Sequence, residues 1–181
     1  MRDHIEPRPW NSIQAEIVKL LDKVSEEEFR QLLSVFEESS NRRWFFSGQG
    51  RLGLIAQMAA MRFMHLGFEC HVTDEATAPA VRKGDYFVLV CGSGRTPVSK
   101  SFAEIAHADG AELIVVTHKP NSEIALDADV LLTVPMGETM QFGGTLFEQG
   151  ALILLDCLAL ELVKKTDDAH NRMWQRHTNL Q

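Results

Sequence analysis

The hydrophobic pattern changes its period once along the chain. Up to about residue 40, apolar residues recur every three or four positions. Ile13, Ile17, Leu20, Leu21 and Val24 share one helical face behind Ser12, which predicts a first helix capped by that serine. Ser25 and Glu28 have the spacing of a capping box and precede the stripe Phe29, Leu32, Leu33, Phe36, which predicts a second. The far sides of both are polar, so each covers something larger.

From Arg43 short apolar runs alternate with helical stretches. The runs are Trp44-Phe45-Phe46, Cys70-His71-Val72, Tyr86 to Val90, Leu113 to Val116 and Val130 to Val134. Most are continuous rather than alternating, the mark of strands buried on both faces. Between them, Leu54–Leu66 ends at Gly67 and Pro97–Asp109 at Gly110, where a left-handed C-terminal cap is wanted; a short helical turn follows Ser122. Strands that alternate with helices form parallel sheets with helices on both faces. The pattern therefore predicts an α/β fold, a doubly wound five-stranded parallel sheet in the order 2-1-3-4-5, flanked by helices and preceded by the N-terminal pair. Thr145 to Lys165 reads as a long helix that is apolar on more than one face, with the extra face available to a subunit interface. Asp167 to Gln181 is polar but carries Met173 and Trp174, consistent with a short docked helix. One domain over residues 1–181 is expected, with a helical segment at 1–40 and a terminal segment at 167–181.

Composition narrows the classes. A chain of 181 residues holds one ordinary domain. Its net charge of −7 disfavours a general nucleic-acid or anionic-membrane binder. No apolar run approaches the roughly 18 residues of a membrane span, and the polar, charged stretch from Met1 to Trp10 is unlike a signal peptide. Cys70, Cys91 and Cys157 are odd in number and widely spaced, unlike a disulfide framework or a zinc site; they read as free thiols of a cytoplasmic protein.

Two glycine loops carry the candidate chemistry. Ser47-Gly48-Gln49-Gly50-Arg51-Leu52-Gly53 follows the first strand and spells G-x-G-x-x-G; Asp74 and Glu75 lie roughly 20 residues on, where a dinucleotide fold keeps its ribose-binding acid. Turn geometry alone also requires such glycines. Gly92-Ser93-Gly94-Arg95-Thr96-Pro97 follows the third strand. It offers backbone N–H groups, two hydroxyls, a capping Thr96 and Pro97 at the first helical position, the parts of a phosphate site at a helix N-terminus. An ordinary helix cap uses the same residues. In the 2-1-3-4-5 order both loops meet at the topological switch point, and the chain has no room for a dehydrogenase's second domain.

These loops, with their spacing and the five strands, resemble the sugar isomerase (SIS) domain family, and within it the 6-phospho-3-hexuloisomerases. The stretches that carry the likeness include Gly48-Gln49-Gly50-Arg51, Met61 to Phe68, Glu75 to Ala80, Gly84-Asp85, Gly92-Ser93-Gly94, Gly144 to Glu148 and Arg176 to Leu180. Two positions depart from the family pattern: Leu52 stands where a serine is usual and Arg95 where a glutamate is usual. Arg95 either holds an anionic group of the ligand through two hydrogen bonds or faces solvent or a nearby acid.

The resemblance implies interconversion of 3-hexulose 6-phosphate and fructose 6-phosphate through an enediolate, with no redox cofactor and no metal. That chemistry needs a base, donors for the enediolate oxygen and a tether for the phosphate. The resemblance makes Glu148 the base, with Glu75 next in line, and His177 a second acid–base group whose own or neighbouring subunit is left open. Ser47, Gly48, Gly50, Arg51, Ser93, Gly94, Arg95 and Thr96 are the candidate phosphate and substrate contacts; Arg51 has the alternative of pairing with Asp74 or Glu75. The other histidines, His4 and His118 among them, read as structural or solvated, with His65 a weaker candidate. A homo-oligomer, dimer or tetramer, with no nucleic-acid or membrane partner is implied. A non-catalytic phosphosugar sensor, an isomerase for a more acidic sugar phosphate and a nicotinamide-dependent protein are the competing readings.

Overall fold

A computed structural model describes residues 8–39 and 41–180 of the chain. His4, the rest of residues 1–7, residue 40 and Gln181 lie outside the described residues. The elements run α1 (Trp10–Leu21), α2 (Glu26–Glu38), β1 (Arg43–Gly48), α3 (Arg51–Leu66), β2 (Glu69–Val72), β3 (Tyr86–Val90), α4 (Pro97–Ala108), β4 (Glu112–Thr117), α5 (Glu123–Leu126), β5 (Val130–Thr133), α6 (Thr145–Lys164) and α7 (Ala169–Arg176).

All strand pairs are parallel and the order is β2-β1-β3-β4-β5, as the pattern predicts. Successive strand side chains point to opposite faces, so each strand feeds two cores. Trp44, Phe46, Val88, Val90, Ile114, Val116 and Leu132 meet α2, α3 and α6 on one face. Phe45, Phe87, Leu89, Leu113 and Val115 meet Ala103, Ala106 and Ile124 on the other. On the first face the Phe36 ring lies between Trp44 and Phe63, with ring centroids 3.9 and 4.3 Å away. That stack ties α2 to β1 and α3.

Several element ends differ from the sequence expectation. α1 begins at Trp10, with Pro9 rather than Ser12 at the cap position. A proline has no N–H to leave unpaired and its φ of −53° is already helical, so the helix starts there. The capping box at α2 is half formed. Ser25 Oγ accepts from Glu28 N at 3.2 Å, but the Glu28 carboxylate reaches across to β5 instead, accepting from Thr133 N at 2.6 Å and Thr133 Oγ1 at 3.1 Å. α3 starts at Arg51, three residues before the predicted Leu54. Gly50, at φ +61°, reverses the chain so sharply that the helix opens at once. Thr96 does occupy the cap of α4, but its hydroxyl makes no capping bond.

α6 buries Leu146, Phe147, Gly150, Ala151, Leu154, Leu155, Leu158, Ala159 and Leu162, while Leu160 stays 52% exposed. Gly150 is required by close approach: a Cβ there would stand 2.9 Å from both Leu20 of α1 and Val134. α7 packs on α3, where Arg176 Nη1 donates to the carbonyl of His65 at 3.4 Å. The three cysteines are free, and burial pushes the Cys70 thiol up to about 12. No helix among the described residues is long and apolar enough to cross a membrane.

Candidate active site

Parallel pairing places Ser47 beside Leu89 and Gly48 beside Val90. The two glycine loops therefore leave the sheet side by side, at the carboxyl ends of β1 and β3. From β1 the chain crosses to β2 and from β3 to β4, so the crevice between the loops opens at the switch point.

In the first loop Ser47 is buried and accepts a hydrogen bond from Thr73 Oγ1 at 3.0 Å. Gly48 lies against the backbone of α3: an added Cβ would fall 2.6 Å from the carbonyl carbon and oxygen of Leu52. Gly50 makes the turn, and Arg51 emerges at the crevice mouth with 65% of its side chain exposed. Arg51 pairs with neither Asp74 nor Glu75. Its Nη2 stands 2.6 Å from Glu148 Oε2. Glu148 sits in the first turn of α6 with 15% of its side chain exposed, and its Oε2 is wholly buried. The contact is a charge pair rather than a hydrogen bond, because no N–H points along it and Oε2 accepts no hydrogen bond.

In the second loop Gly92 faces Phe147, the neighbour of Glu148; a Cβ would approach that ring to 3.2 Å. The Gly92 carbonyl is held by Thr117 Oγ1 at 3.0 Å. Gly94 has φ +63°, and a Cβ there would collide with Ser122 Oγ at 2.0 Å. Ser93 Oγ accepts from Arg95 N at 3.3 Å, curling the loop over the start of α4. Pro97 has no N–H, so three N–H groups at this end, those of Thr96, Val98 and Ser99, have no partner within the helix, and its dipole is positive here. Arg95 is exposed and makes no ion pair among the described residues, so the pairing with a nearby acid is not formed. With Lys119, Ser93 and Ser122 it lines an open cleft of about 360 Å³, a positive corner on an acidic chain.

The structure thus pairs Arg51 with Glu148 and sets the loop of Ser47, Gly48 and Gly50 beside that of Ser93, Gly94, Arg95 and Thr96, with Arg95 in the cleft beside Lys119 and Ser122. It does not bring His177 to them. His177 follows α7, stacks on His65 at 5.2 Å between ring centroids and lies 5.2 Å from Trp174. His65 ends α3 and Arg51 begins it, so about 21 Å of helix rise separates them. Around His177 a groove of about 540 Å³ is lined by Met61, Leu160, Met173 and Trp174. Burial, then the charges of His177 and Arg62, hold the His65 imidazole below its ordinary value. Glu75 lies by Phe45, Phe87 and Phe102, side chains of the opposite face of the sheet.

Sequence reasoning set His118 aside, and the structure places it at this site. Its ring meets Phe147 edge-on at 5.6 Å and borders Gly92. Burial, then Lys119, holds its imidazole below the ordinary value, so it is neutral at pH 7. Thr117 and Ser122, which shape the second loop, carried no sequence signal of that role: each is one hydroxyl at the end of a strand or before a short turn.

Residues 39–160 match the family described as the SIS domain. The chain belongs to the SIS domain family. Among relatives of this SIS protein, a 3-hexulose-6-phosphate isomerase of Mycobacterium gastri is 35% identical over 147 residues, 77% of this chain and 74% of that one. One of Bacillus subtilis is 32% identical over 151 residues, 78% and 82% of the two chains. The crystal structure of a hypothetical protein from Methanococcus jannaschii, described as inferring a 3-hexulose-6-phosphate isomerase, superposes on the SIS chain with a TM-score of 0.82 at 27% identity, covering 94% of this chain and 97% of that one. The resemblance in the sequence and the order of the sheet agree with this membership.

Proposed function

We propose that the protein is a 6-phospho-3-hexuloisomerase, converting 3-hexulose 6-phosphate to fructose 6-phosphate. The observation that carries the reading is Glu148, a largely buried carboxylate paired to Arg51 beside a loop built to hold phosphate. The similarity to named isomerases of this reaction over most of the chain supports the same substrate. Among the described residues no basic recognition helix favours the sensor reading.

Moving a carbonyl from C3 to C2 takes a proton from C2, forms an enediolate and returns a proton to C3. The phosphate sits in the 92–96 loop, on the N–H groups of α4 and the hydroxyls of Ser93 and Thr96; Arg95 and Lys119 draw it there. Arg51, already at the crevice mouth, turns from Glu148 to the incoming ligand and leaves the carboxylate free to take the C2 proton. The backbone N–H groups of the first loop and the neutral His118 face the developing enediolate oxygens. Ser93→Ala with Thr96→Ala removes two hydrogen bonds to a charged group, each worth about 1.5–3 kcal/mol. Inhibition by fructose 6-phosphate and by inorganic phosphate should weaken accordingly, with little change in the melting temperature. Unaltered inhibition constants would overturn the phosphate assignment.

His177 acts, on this reading, in the site of a second copy. Leu54, Met58 and Met61 form an exposed stripe on α3 at i, i+4 and i+7, continued by Leu160 and Trp174. A patch of this kind marks an interface, and a homo-oligomer, dimer or tetramer, covers it. Sedimentation at micromolar concentration should show no monomer, and Met61→Glu should split the assembly. A fully active monomer would remove His177 from the mechanism. Free thiols and a phosphosugar substrate fit a cytoplasmic enzyme. A single domain over the whole chain is proposed, with the N-terminal helices and α7 as parts of it.

A further inference from the structure

The loop between β5 and α6 leads directly into the turn that carries Glu148. Met136 is packed against the core at one end, and at the other Thr145 caps its own turn through Phe142 O at 2.7 Å. Between these anchors apolar packing does not hold the loop: Met140 is 81% exposed and Phe142 93%. Gly137, Gly143 and Gly144 leave its backbone free to pivot. Its position is set by polar ties, and they converge on one side chain of α1.

Glu16 accepts three hydrogen bonds from this loop. They come from Thr139 Oγ1 at 2.7 Å, Met140 N at 2.9 Å and Gln141 Nε2 at 3.0 Å. Gln141 then exchanges two amide hydrogen bonds with Gln149, at 3.1 and 3.0 Å, and Gln149 is the residue after Glu148. The origin of the chain of bonds is itself fixed. Leu20, one turn after Glu16, is pressed onto Gly150 of α6, which holds α1 at a set height over the loop. We propose that Glu16 is a positioning residue: its clasp on residues 139–141, relayed through Gln141 and Gln149, fixes the first turn of α6 and the aim of Glu148. The proposal rests on the reading of Glu148 as the base.

The Met140 N–H bond, then those of Gln141 and Thr139, and last the charge of Lys19, hold the Glu16 carboxyl below its ordinary value. Lys23, in the turn after α1, and Glu138 of the loop are the other charged groups beside it. A carboxyl with a lowered folded pKa contributes stability above its unfolded value and loses it as pH falls through the folded one. The clasp is therefore closed at neutral pH and opens only in acid.

The test compares Glu16→Ala, Gln149→Ala, the double variant and Glu148→Gln with the parent. Alanine favours the helix, so Glu16→Ala keeps α1. Two readouts are independent: amide exchange at Met140, whose N–H is bonded to Glu16, and steady-state kinetics on 3-hexulose 6-phosphate. In Glu16→Ala, Met140 exchange should rise about tenfold while the interior of α6 is unchanged. Turnover should fall about tenfold with KM within about twofold, since the phosphate loops are untouched. The double variant should lose no more than the worse single variant, because both act through Gln141. Unchanged Met140 exchange, unchanged turnover or additive losses would each overturn the proposal. Glu148→Gln should leave Met140 protected. If it also keeps its turnover, the base assignment fails, and the positioning role with it, while raised exchange in Glu16→Ala still records the clasp.

Discussion

Glu148→Gln should lower turnover by about 10²–10⁴-fold, the usual share of general-base catalysis. Glutamine keeps the length and shape of the side chain but removes its basicity. It also releases Arg51 from a charge pair at 2.6 Å, so the affinity for fructose 6-phosphate should hold or rise slightly. Exchange of the carbon-bound proton with solvent should fall in parallel with turnover, since both pass through one enediolate. The assignment is read from initial rates and from product inhibition of the same preparation. A variant with near-normal exchange would move the base elsewhere. Glu75, the alternative from the sequence, lies by aromatic side chains of the opposite face of the sheet and is a poor substitute.

Gly48→Ala should be strongly damaging to the first loop. The new Cβ would meet only backbone: Leu52 C and O at 2.6 Å and Gly53 N at 2.9 Å. No side chain can swing away, so β1 and the first turn of α3 must part. A cost of about 3 kcal/mol is expected, with loss of fructose 6-phosphate binding as Arg51 and Ser47 shift. Gly137→Ala is the control, since a Cβ there meets nothing within 4 Å. Denaturation midpoints and ligand-induced melting shifts on the two variants separate close approach from mere loss of a glycine. Equal midpoints would contradict the packing described for the first loop.

Much of this architecture was legible because the physics behind it is local. Runs such as Tyr86 to Val90 are short, apolar at every position and rich in β-branched and aromatic residues, which suits a strand covered on both faces. Gly67 and Gly110 fell where helix ends need positive φ, and both have it. The phosphate loop was legible for the same reason, since hydroxyls, glycines and a proline at a helix start are neighbours in sequence. What was not legible depends on residues far apart in the chain. Glu28 completes no capping box because Thr133 of β5 offers two better donors. Asp85, in a stretch that resembles the family, is structural: it is buried and accepts from Arg43 Nη2 at 2.6 Å and Arg82 N at 2.7 Å. His118 comes to the site only because β4 lies next to β3, and no spacing encodes that. The terminal motif containing His177 was visible, but its place at the far end of α3 follows from how α7 docks.

The most direct measurement is proton NMR in heavy water. 3-Hexulose 6-phosphate, made in situ, is followed with the parent enzyme and with Glu148→Gln. The account predicts conversion to fructose 6-phosphate with the C2 proton lost and deuterium delivered to C3, and with conversion and deuterium entry suppressed together in the variant. Conversion without exchange at either carbon, at the same rate in parent and variant, would contradict an enediolate formed by Glu148.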